Sequence, residues 1–222
     1  PSDIEKIFFV NNILPTQLLE FAIAAKVKYF INTGTFFEYK RTITPITETT
    51  EYSAFNLYAQ SKINFENILK FYADKIKSVT FKIFSPFGPK DDTNKIIPAL
   101  IKALLKNQKI KLSAGYQKLD FIFVKDIAAA YCKLLENIDE LYENFNIFNI
   151  ASGVSYSIRE IVEILENISN KKIDIEWGVT SENENNNIIA DITKIRQFLK
   201  WSPEYNIKDG LAETLNYYKQ NI

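Results

Sequence analysis

The 222-residue sequence contains no histidine, no methionine and a single cysteine, Cys132. The absence of an imidazole excludes Ser-His and Cys-His nucleophilic catalysis, because both use histidine as the general base. One cysteine without histidine also argues against a zinc site, and we predict no metal centre. A lone cysteine forms no disulfide within the chain and is typical of a reducing compartment, so we expect a cytoplasmic protein.

Glycine is also scarce, with six residues, and none of them falls in a G-x-G-x-x-G or G-x-x-G-x-x-G run. Such a run forms the turn that holds a dinucleotide pyrophosphate at a helix amino end. Either the protein binds no dinucleotide, or that part lies upstream of Pro1. Because the chain starts at Pro1 and has no methionine, we expect further sequence before it.

Neither charge nor hydrophobicity indicates a nucleic acid or a membrane as a partner. The 27 basic and 27 acidic residues balance, which leaves no positive field for nucleic acid. No uninterrupted apolar run approaches the roughly 18 residues that span a membrane, and the amino end shows no signal peptide. With 46% hydrophobic residues, the composition is that of a globular protein with a filled core.

The first half of the sequence alternates helix and strand patterns. We predict an amphipathic helix over residues 14–26, a strand over 27–32, a long helix over 53–75 and a strand over 79–84. The polar, threonine-rich residues 36–50 are expected on the surface. Strand, helix and strand in this order predict a parallel crossover. The long helix is apolar nearly all round, which predicts a second buried face against another subunit.

The second half is mixed and more irregular, and it follows a predicted loop at residues 85–89. A helix is expected to begin near Asp92 or Thr93, with Pro98 in its early turns. Further strands are predicted over 109–112, 119–124, 145–150 and 173–177, helices over 127–137, 157–168, 192–199 and 207–218, and a polar loop over 181–187. The predicted fold class is α/β, a Rossmann-like doubly wound parallel sheet with a smaller mixed α/β region.

Tyr58 and Lys62 carry the first chemical signal, because residues four apart on a helix lie on one face. A nearby ammonium favours the ionised phenol and lowers its pKa, which would let Tyr58 exchange a proton with a sugar hydroxyl. Thr35, at the end of the first predicted strand, could hold the substrate oxygen. Among twelve tyrosines about one such pair is expected by chance, so a packed tyrosine followed by a surface lysine is the alternative.

Six segments occur in a recognisable order. They are Phe30-Ile-Asn-Thr-Gly-Thr35, Tyr58-Ala-Gln-Ser-Lys62, Phe84-Ser-Pro-Phe-Gly-Pro89, Gln117-Lys-Leu-Asp-Phe-Ile-Phe-Val-Lys-Asp126, Asn149-Ile-Ala-Ser-Gly153 and the late run from Ala190 to Leu211. This order resembles the extended short-chain dehydrogenase/reductase family of nucleotide-sugar epimerases, dehydratases and ketoreductases. Each motif alone is weak, but six in order over nearly the whole chain outweigh the chance interpretation of Tyr58.

The resemblance implies roles for several residues. Tyr58 would be the acid/base, Lys62 its partner, and Thr35 the residue that bonds the reacting sugar oxygen. The cofactor, NAD or NADP, would contact Tyr58, Lys62, Thr33, Phe84, Ser85 and Pro86, and the nucleotide sugar would contact Thr35, Ser85, Gln117 and Lys118. Structural explanations also exist: strand-end capping for Thr33 and Thr35, and turn chemistry for Ser85-Pro86 and Gln117-Lys118.

The resemblance also implies an architecture. Residues 1–90 would form the carboxyl half of the NAD(P)-binding Rossmann domain. Residues 91–222 would form mainly the substrate domain, with 126–150 returning to the Rossmann sheet. The strands that bind the adenine half of the cofactor would lie upstream of Pro1. Helices 14–26 and 53–75 would pack against the same helices of a second copy in a four-helix bundle, giving a homodimer.

Departures from the family pattern reduce the number of reactions and substrates that the resemblance implies. In the dehydratase branch an Asp and a Glu follow the catalytic Thr, whereas this chain has Phe36 and Phe37, which transfer no protons. An Asn that touches substrate is replaced by Ser85. Leu119 replaces an Arg that clamps the nucleotide phosphates, which removes a bidentate contact. The Thr-Gly-Thr-Phe-Phe run is similar to that of the CDP-3,6-dideoxyhexose 4-ketoreductases.

Two functions of different classes are therefore expected. The first is an NAD(P)-dependent oxidoreductase or epimerase acting at C4 of a nucleotide-activated hexose, as 4-ketoreductase or 4-epimerase. The second is a catalytically inactive relative that acts as a binding or dimerisation module without the cofactor half.

Overall fold

In the computed structural model of the chain, residues 4–42, 45–179 and 187–221 are described. The strands are β1 (Tyr29–Thr35), β2 (Lys77–Ile83), β3 (Ser85–Phe87), β4 (Ile110–Lys111), β5 (Lys118–Phe123), β6 (Phe145–Ile150), β7 (Ser155–Ser157) and β8 (Ile175–Glu176). The α-helices are α1 (Ile4–Phe8), α2 (Leu14–Ala24), α3 (Leu57–Phe71), α4 (Ile96–Lys106), α5 (Val124–Asn137), α6 (Ile158–Ser169), α7 (Thr193–Leu199) and α8 (Ile207–Asn221). A π-helical turn, Phe9–Ile13, joins α1 to α2, and 3₁₀ turns follow β1 (Phe36–Glu38) and α5 (Ile138–Glu140).

A parallel sheet in the order β1-β2-β6 forms the centre of the first half. One face is covered by α2 and α3 through Leu19, Phe65 and Leu69, and the other by α5 and α7 through Leu134 and Ile195. Helices on both faces of a parallel sheet confirm the predicted Rossmann-like α/β class. The parallel crossover from β1 through α3 to β2 is confirmed as well.

A second sheet has the order β3-β5-β7, with β3 parallel and β7 antiparallel to β5. Its core lies under α4, α6 and α8 and includes Leu104, Leu165 and Leu215. The loop predicted at residues 85–89 is therefore wrong for Ser85–Phe87. Pro86 is tolerated in β3 because this is an edge strand, where a residue without an N–H need not break the ladder.

Helical structure at the amino end is longer than the sequence pattern predicts, because it begins at Ile4 and runs through the π-helical turn to Ala24. By length and composition this helix is long and apolar enough to cross a membrane, a test that signal sequences and helices of soluble proteins also pass. No uninterrupted apolar run marks this helix in the sequence, because charged and amide side chains interrupt it. Asn11 Nδ2 donates to Ser61 Oγ at 3.0 Å, and Asn12 Nδ2 donates to the Ser61 carbonyl at 2.7 Å. These bonds fix the π-helical turn to α3.

The connection after β1 is not the surface segment that its polar composition predicts. A 3₁₀ turn folds it back against β2, and it buries Phe36, Glu38, Tyr39 and Ile46. The following helix is shorter than predicted and begins after Asn56, whose Oδ1 accepts the Ala59 N–H at 2.9 Å. Residues 181–186 of the predicted polar loop lie outside the described part of the chain.

Candidate active site

A cavity of about 1340 Å³ lies at the carboxyl ends of β1 and β2. This is the edge of a parallel sheet at which α/β proteins bind ligands. Six of the residues that the sequence singled out line the cavity: Thr33, Thr35, Tyr58, Ser85, Pro86 and Gln117. They come from β1, α3, β3 and the segment before β5, so the fold gathers residues that lie far apart in the sequence.

Three of the predicted site residues, all within the described part of the chain, lie outside the cavity wall. Phe84 is fully buried, and its ring stacks on that of Phe36 with 5.4 Å between centroids. Lys118 directs its ammonium towards Glu160, 3.8 Å away. Lys62 lies against the main chain of β1. The first two placements do not support a side-chain contact with cofactor or substrate.

Tyr58 and Lys62 lie one turn apart on α3. Lys62 Nζ donates to the Thr33 carbonyl at 3.1 Å and lies 5.8 Å from the centroid of the Tyr58 ring. Burial and then the Glu38 carboxylate raise the pKa of Tyr58. Burial lowers the pKa of Lys62, and Glu38 opposes that change. The expected lowering of the Tyr58 pKa is therefore wrong for this chain, and its phenol is held in the protonated form.

Thr35 ends β1 and begins the 3₁₀ turn. Its Oγ1 accepts the Phe37 N–H at 3.4 Å, while its own N–H donates to Glu38 Oε1 at 2.7 Å. These two bonds form a reciprocal capping box. The hydroxyl proton of Thr35 is not used by either bond, so the residue can cap the turn and still donate to a ligand oxygen in the cavity.

Behind this wall, Lys82 of β2 is fully buried between Glu38 and Glu66. Its Nζ bonds to Glu38 Oε2 and lies 2.5 Å from Glu66 Oε2. Glu66 Oε1 also accepts the Tyr52 hydroxyl at 2.6 Å. A Cβ on Gly34 would lie 2.7 Å from Glu38 Oε1 and 2.9 Å from Lys82 Cδ. Only glycine at this position therefore leaves room for the Glu38–Lys82 ion pair. We call Glu38, Lys82 and Glu66 the buried charge cluster.

Tyr131 of α5 is a cavity residue that the sequence did not single out. Its Oη lies 2.5 Å from Thr33 Oγ1, and the Thr33 carbonyl in turn holds Lys62. Tyr131 lies in a helical run with no motif around it. Only the packing of α5 on the sheet shows that its ring reaches the end of β1.

An aromatic wall forms another side of the cavity. Phe37 stacks on Phe55 with 5.6 Å between ring centroids, and the Arg41 guanidinium lies 4.3 Å from the centroid of Phe55. Phe36, Phe37, Phe55 and Arg41 all line the cavity. The two positions that carry acids in dehydratases are thus apolar and face the same space as Tyr58.

The residues at this sheet edge fit the nicotinamide half of a dinucleotide. Lys62 carries three N–H donors, of which one bonds to the Thr33 carbonyl. Thr33, Tyr58 and Ser85 line the cavity beside it and carry hydroxyl groups. The glycine-rich pyrophosphate turn has no counterpart in the 222 residues, so this chain supplies only part of such a site.

A parallel α/β sheet with a wide cavity at the carboxyl ends of its strands defines a Rossmann-like ligand-binding protein. The model of the NAD dependent epimerase/dehydratase family matches residues 2–151. The chain belongs to this family, which confirms the resemblance drawn from its motifs.

Individual relatives include enzymes of more than one kind. CDP-abequose synthase of Salmonella muenchen is 29% identical over 215 residues, which cover 93% of this chain and 68% of that protein. UDP-glucuronic acid 4-epimerase from Bacillus cereus, solved with UDP-glucuronic acid and NAD, is 26% identical with a TM-score of 0.86 over 96% of this chain and 68% of that one. UDP-glucose 4-epimerase of Thermotoga maritima, solved with UDP-glucose, has a TM-score of 0.90 over 99% of this chain and 72% of that one. At 22% identity the last comparison shows the shared fold alone.

Proposed function

We propose that the protein is an NAD(P)-dependent oxidoreductase or epimerase that acts at C4 of a nucleotide-activated hexose. The observation that carries this proposal is that Tyr58 and Thr35 line one cavity, while Lys62 lies one turn from the tyrosine against β1. Family membership and the nucleotide-sugar enzymes among the relatives support it. The proposed reaction is that of a 4-ketoreductase or a 4-epimerase.

Each residue has a defined task in this proposal. Thr35 donates a hydrogen bond from its hydroxyl group to the sugar oxygen and holds that oxygen beside Tyr58. Tyr58 then gives a proton to the oxygen when a ketone is reduced, or takes one when an alcohol is oxidised. Burial and Glu38 raise the pKa of Tyr58, and the Lys62 ammonium, 5.8 Å from the ring centroid, is the nearby positive charge that opposes them when a phenolate forms. When bound, the nicotinamide would supply or accept the hydride at the sugar carbon.

The substrate assignment rests on the cavity wall and on the relatives. Phe36 and Phe37 transfer no protons, so water elimination is not part of the proposed reaction. Arg41 and Lys95 line the cavity, and either cation can replace the phosphate contact that is lost at Leu119. Similarity to a CDP-abequose synthase favours a cytidine diphosphate sugar as the first compound to test.

Substitution of Tyr58 by phenylalanine tests the proposal in the protein made from its native gene. The variant should bind nucleotide sugar with unchanged affinity by calorimetry, yet lose turnover by about 10²–10⁴-fold, because only the proton-transferring hydroxyl is removed. Tyr142→Phe is the matched control, because Tyr142 is 93% exposed and its loss should not change either quantity. Turnover retained by the Tyr58 variant would remove Tyr58 from the proposed role.

The second candidate, an inactive binding or dimerisation module, is favoured by one observation. The 222 residues contain no glycine-rich pyrophosphate turn. This candidate predicts that the protein made from its native gene binds neither NAD nor NADP in a calorimetric titration. Binding of either dinucleotide at micromolar concentration would exclude it and leave the enzyme proposal.

The domain division is proposed together with the function. Residues 1–90 are the carboxyl half of a Rossmann domain, and residues 91–222 are mainly the substrate domain. Residues 126–150 return to the Rossmann sheet, and the pairing of β6 with β2 supports this part. Limited proteolysis between residues 85 and 126 should be slowed by a nucleotide sugar, because the ligand would bridge the two parts.

A homodimer is also proposed, with a second copy of the chain packed on α2 and α3. Phe21 on α2 and Phe71 on α3 support it, because they are 73% and 77% exposed and exposed bulky apolar groups favour a partner. Phe21→Glu should convert a dimer into a monomer in sedimentation velocity at micromolar concentration. Leu135→Glu is the control, since Leu135 is 60% exposed on α5, outside the proposed interface. Wild-type protein that sediments only as a monomer would contradict the proposal.

A further inference from the structure

The buried charge cluster lies directly behind the proposed acid/base site. Glu38 is fully buried, and its Oε1 accepts the Thr35 N–H at 2.7 Å. The same oxygen would lie 2.7 Å from a Cβ on Gly34. The carboxylate of Glu38 therefore lies against the main chain of the last two residues of β1, which line the cavity.

The cluster carries an excess of negative charge in the protein interior. Two carboxylates, Glu38 and Glu66, contact the single ammonium of Lys82, and all three side chains are at most 1% exposed. Lys70 also contacts Glu66 at 2.9 Å from a side chain that is 42% exposed. Glu66 is therefore contacted by two ammonium groups, whereas the ion pair described for Glu38 is with Lys82, which Glu38 shares with Glu66.

We propose that Glu38 is a positioning residue for the acid/base site: its buried carboxylate accepts the Thr35 N–H and so holds the Thr35 main chain at the cavity, and it places one negative charge behind the cavity wall that contains Tyr58. This inference rests on the proposed function for its catalytic meaning. The effect of the Glu38 carboxylate on the ionisation of Tyr58 can be measured without a substrate.

The pKa shifts of Tyr58 and Lys62 agree with a negative charge on Glu38. After burial, Glu38 is the group that raises the pKa of Tyr58, and it also opposes the fall in the pKa of Lys62. Lys62 of α3 lies 5.8 Å from the centroid of the Tyr58 ring, and Lys82 of β2 acts in turn on Lys62. The other charged or titratable groups line the cavity with Tyr58: Tyr39, Lys40 and Arg41 after β1, Asp91 and Lys95 before α4, and Tyr131 of α5. Glu38 combines a buried negative charge with a hydrogen bond to Thr35, and that combination gives it the proposed role.

Glu38→Gln is the informative variant, because glutamine keeps an oxygen acceptor for the Thr35 N–H and removes the charge. Glu66→Gln is the matched control. It removes a carboxylate from the same ammonium, but Glu66 does not contact Thr35 in the bonds described for that residue. The single variant leaves Lys82 paired with Glu66, so it creates no unpaired buried charge and the fold is expected to be retained.

The primary measurement is the ionisation of Tyr58 by NMR of tyrosine labelled with ¹³C at Cζ, in the protein made from its native gene. The signal is assigned by its loss in Tyr58→Phe. At a fixed pH near 10, the ratio of ionised to protonated Tyr58 should rise about threefold or more in the Glu38 variant, which corresponds to roughly half a pKa unit. It should not change in the Glu66 variant.

An unchanged Tyr58 signal in the Glu38 variant, or an equal change in both variants, would overturn the inference. A rise confined to the Glu38 variant supports it even where no nucleotide sugar turns over, in which case the proposed function fails and the electrostatic role stands. Where turnover is found, the limb of the pH-rate profile assigned to Tyr58 should move to lower pH in the Glu38 variant alone.

Discussion

Replacement of Lys82 by methionine would remove the one buried ammonium that contacts both Glu38 and Glu66. The three side chains are 0%, 1% and 0% exposed, so water does not replace the lost partner. Breaking a buried ion pair by deleting one member costs about 3–5 kcal/mol, because an uncompensated charge remains. The free energy of unfolding of Lys82→Met should fall by this amount, which at a urea slope of roughly 2 kcal/mol/M lowers the midpoint by about 2 M.

The destabilisation caused by Lys82→Met should depend on pH. Burial already raises the pKa of Glu38 against the opposing effect of Lys82, and removal of the ammonium would raise it further. A carboxyl group with a folded-state pKa above its unfolded value contributes stability at low pH that is lost as the pH rises. The deficit of Lys82→Met relative to wild type should therefore be smaller at pH 5 than at pH 8.

Lys70→Met is the matched control for this experiment. Lys70 contacts Glu66 at 2.9 Å, but its side chain is 42% exposed, and pairs with an exposed partner contribute roughly 0–1 kcal/mol. Urea unfolding followed by circular dichroism compares the two variants directly. A cost below about 1 kcal/mol for Lys82→Met, or a cost no larger than that of Lys70→Met, would refute the argument from burial.

Two further predictions concern groups near the site. Gly34→Ala would place a methyl group 2.7 Å from Glu38 Oε1, so its urea midpoint should fall by the equivalent of about 1–3 kcal/mol, and an unchanged midpoint would contradict the packing. Burial raises the pKa of Asp120 from 3.8 to about 6, although hydrogen bonds from its neighbours oppose this rise. The contribution of Asp120 to the free energy of unfolding is therefore complete below about pH 4 and is lost as the pH rises through about 6. Between pH 4 and 7, wild type should therefore lose up to roughly 3 kcal/mol relative to Asp120→Asn, and parallel stability curves would contradict this.

Local patterns were sufficient to predict the β1-α3-β2 unit and β6, because buried parallel strands and amphipathic helices leave strong periodic signals. The same patterns failed for Lys82. A lysine in a strand usually marks an exposed face, and its partner Glu38 lies 44 positions away, beyond any local pattern. They failed for the connection after β1 as well, where the threonines suggested solvent but Phe36 and Tyr39 pack against the sheet.

Some residues of the candidate site could be predicted from short motifs, and others could not. Tyr58 and Thr35 could be named from short motifs, because proton transfer needs particular groups at a particular spacing. Glu38 and Tyr131 could not, because their relation to the cavity comes from tertiary packing. Lys118 was named by its position in a motif, but the fold turns its ammonium towards Glu160.

The π-helical turn at Phe9–Ile13 sets the angular phase between the helical segments on either side of it. A π turn contains about one residue more than an α turn, so deletion of one residue would restore a continuous α-helix and rotate the segment before it by about 100°. Asn11 and Asn12 would then leave Ser61, and a whole row of apolar side chains would point in a new direction. This helix should therefore accept changes of residue type far more readily than changes of length.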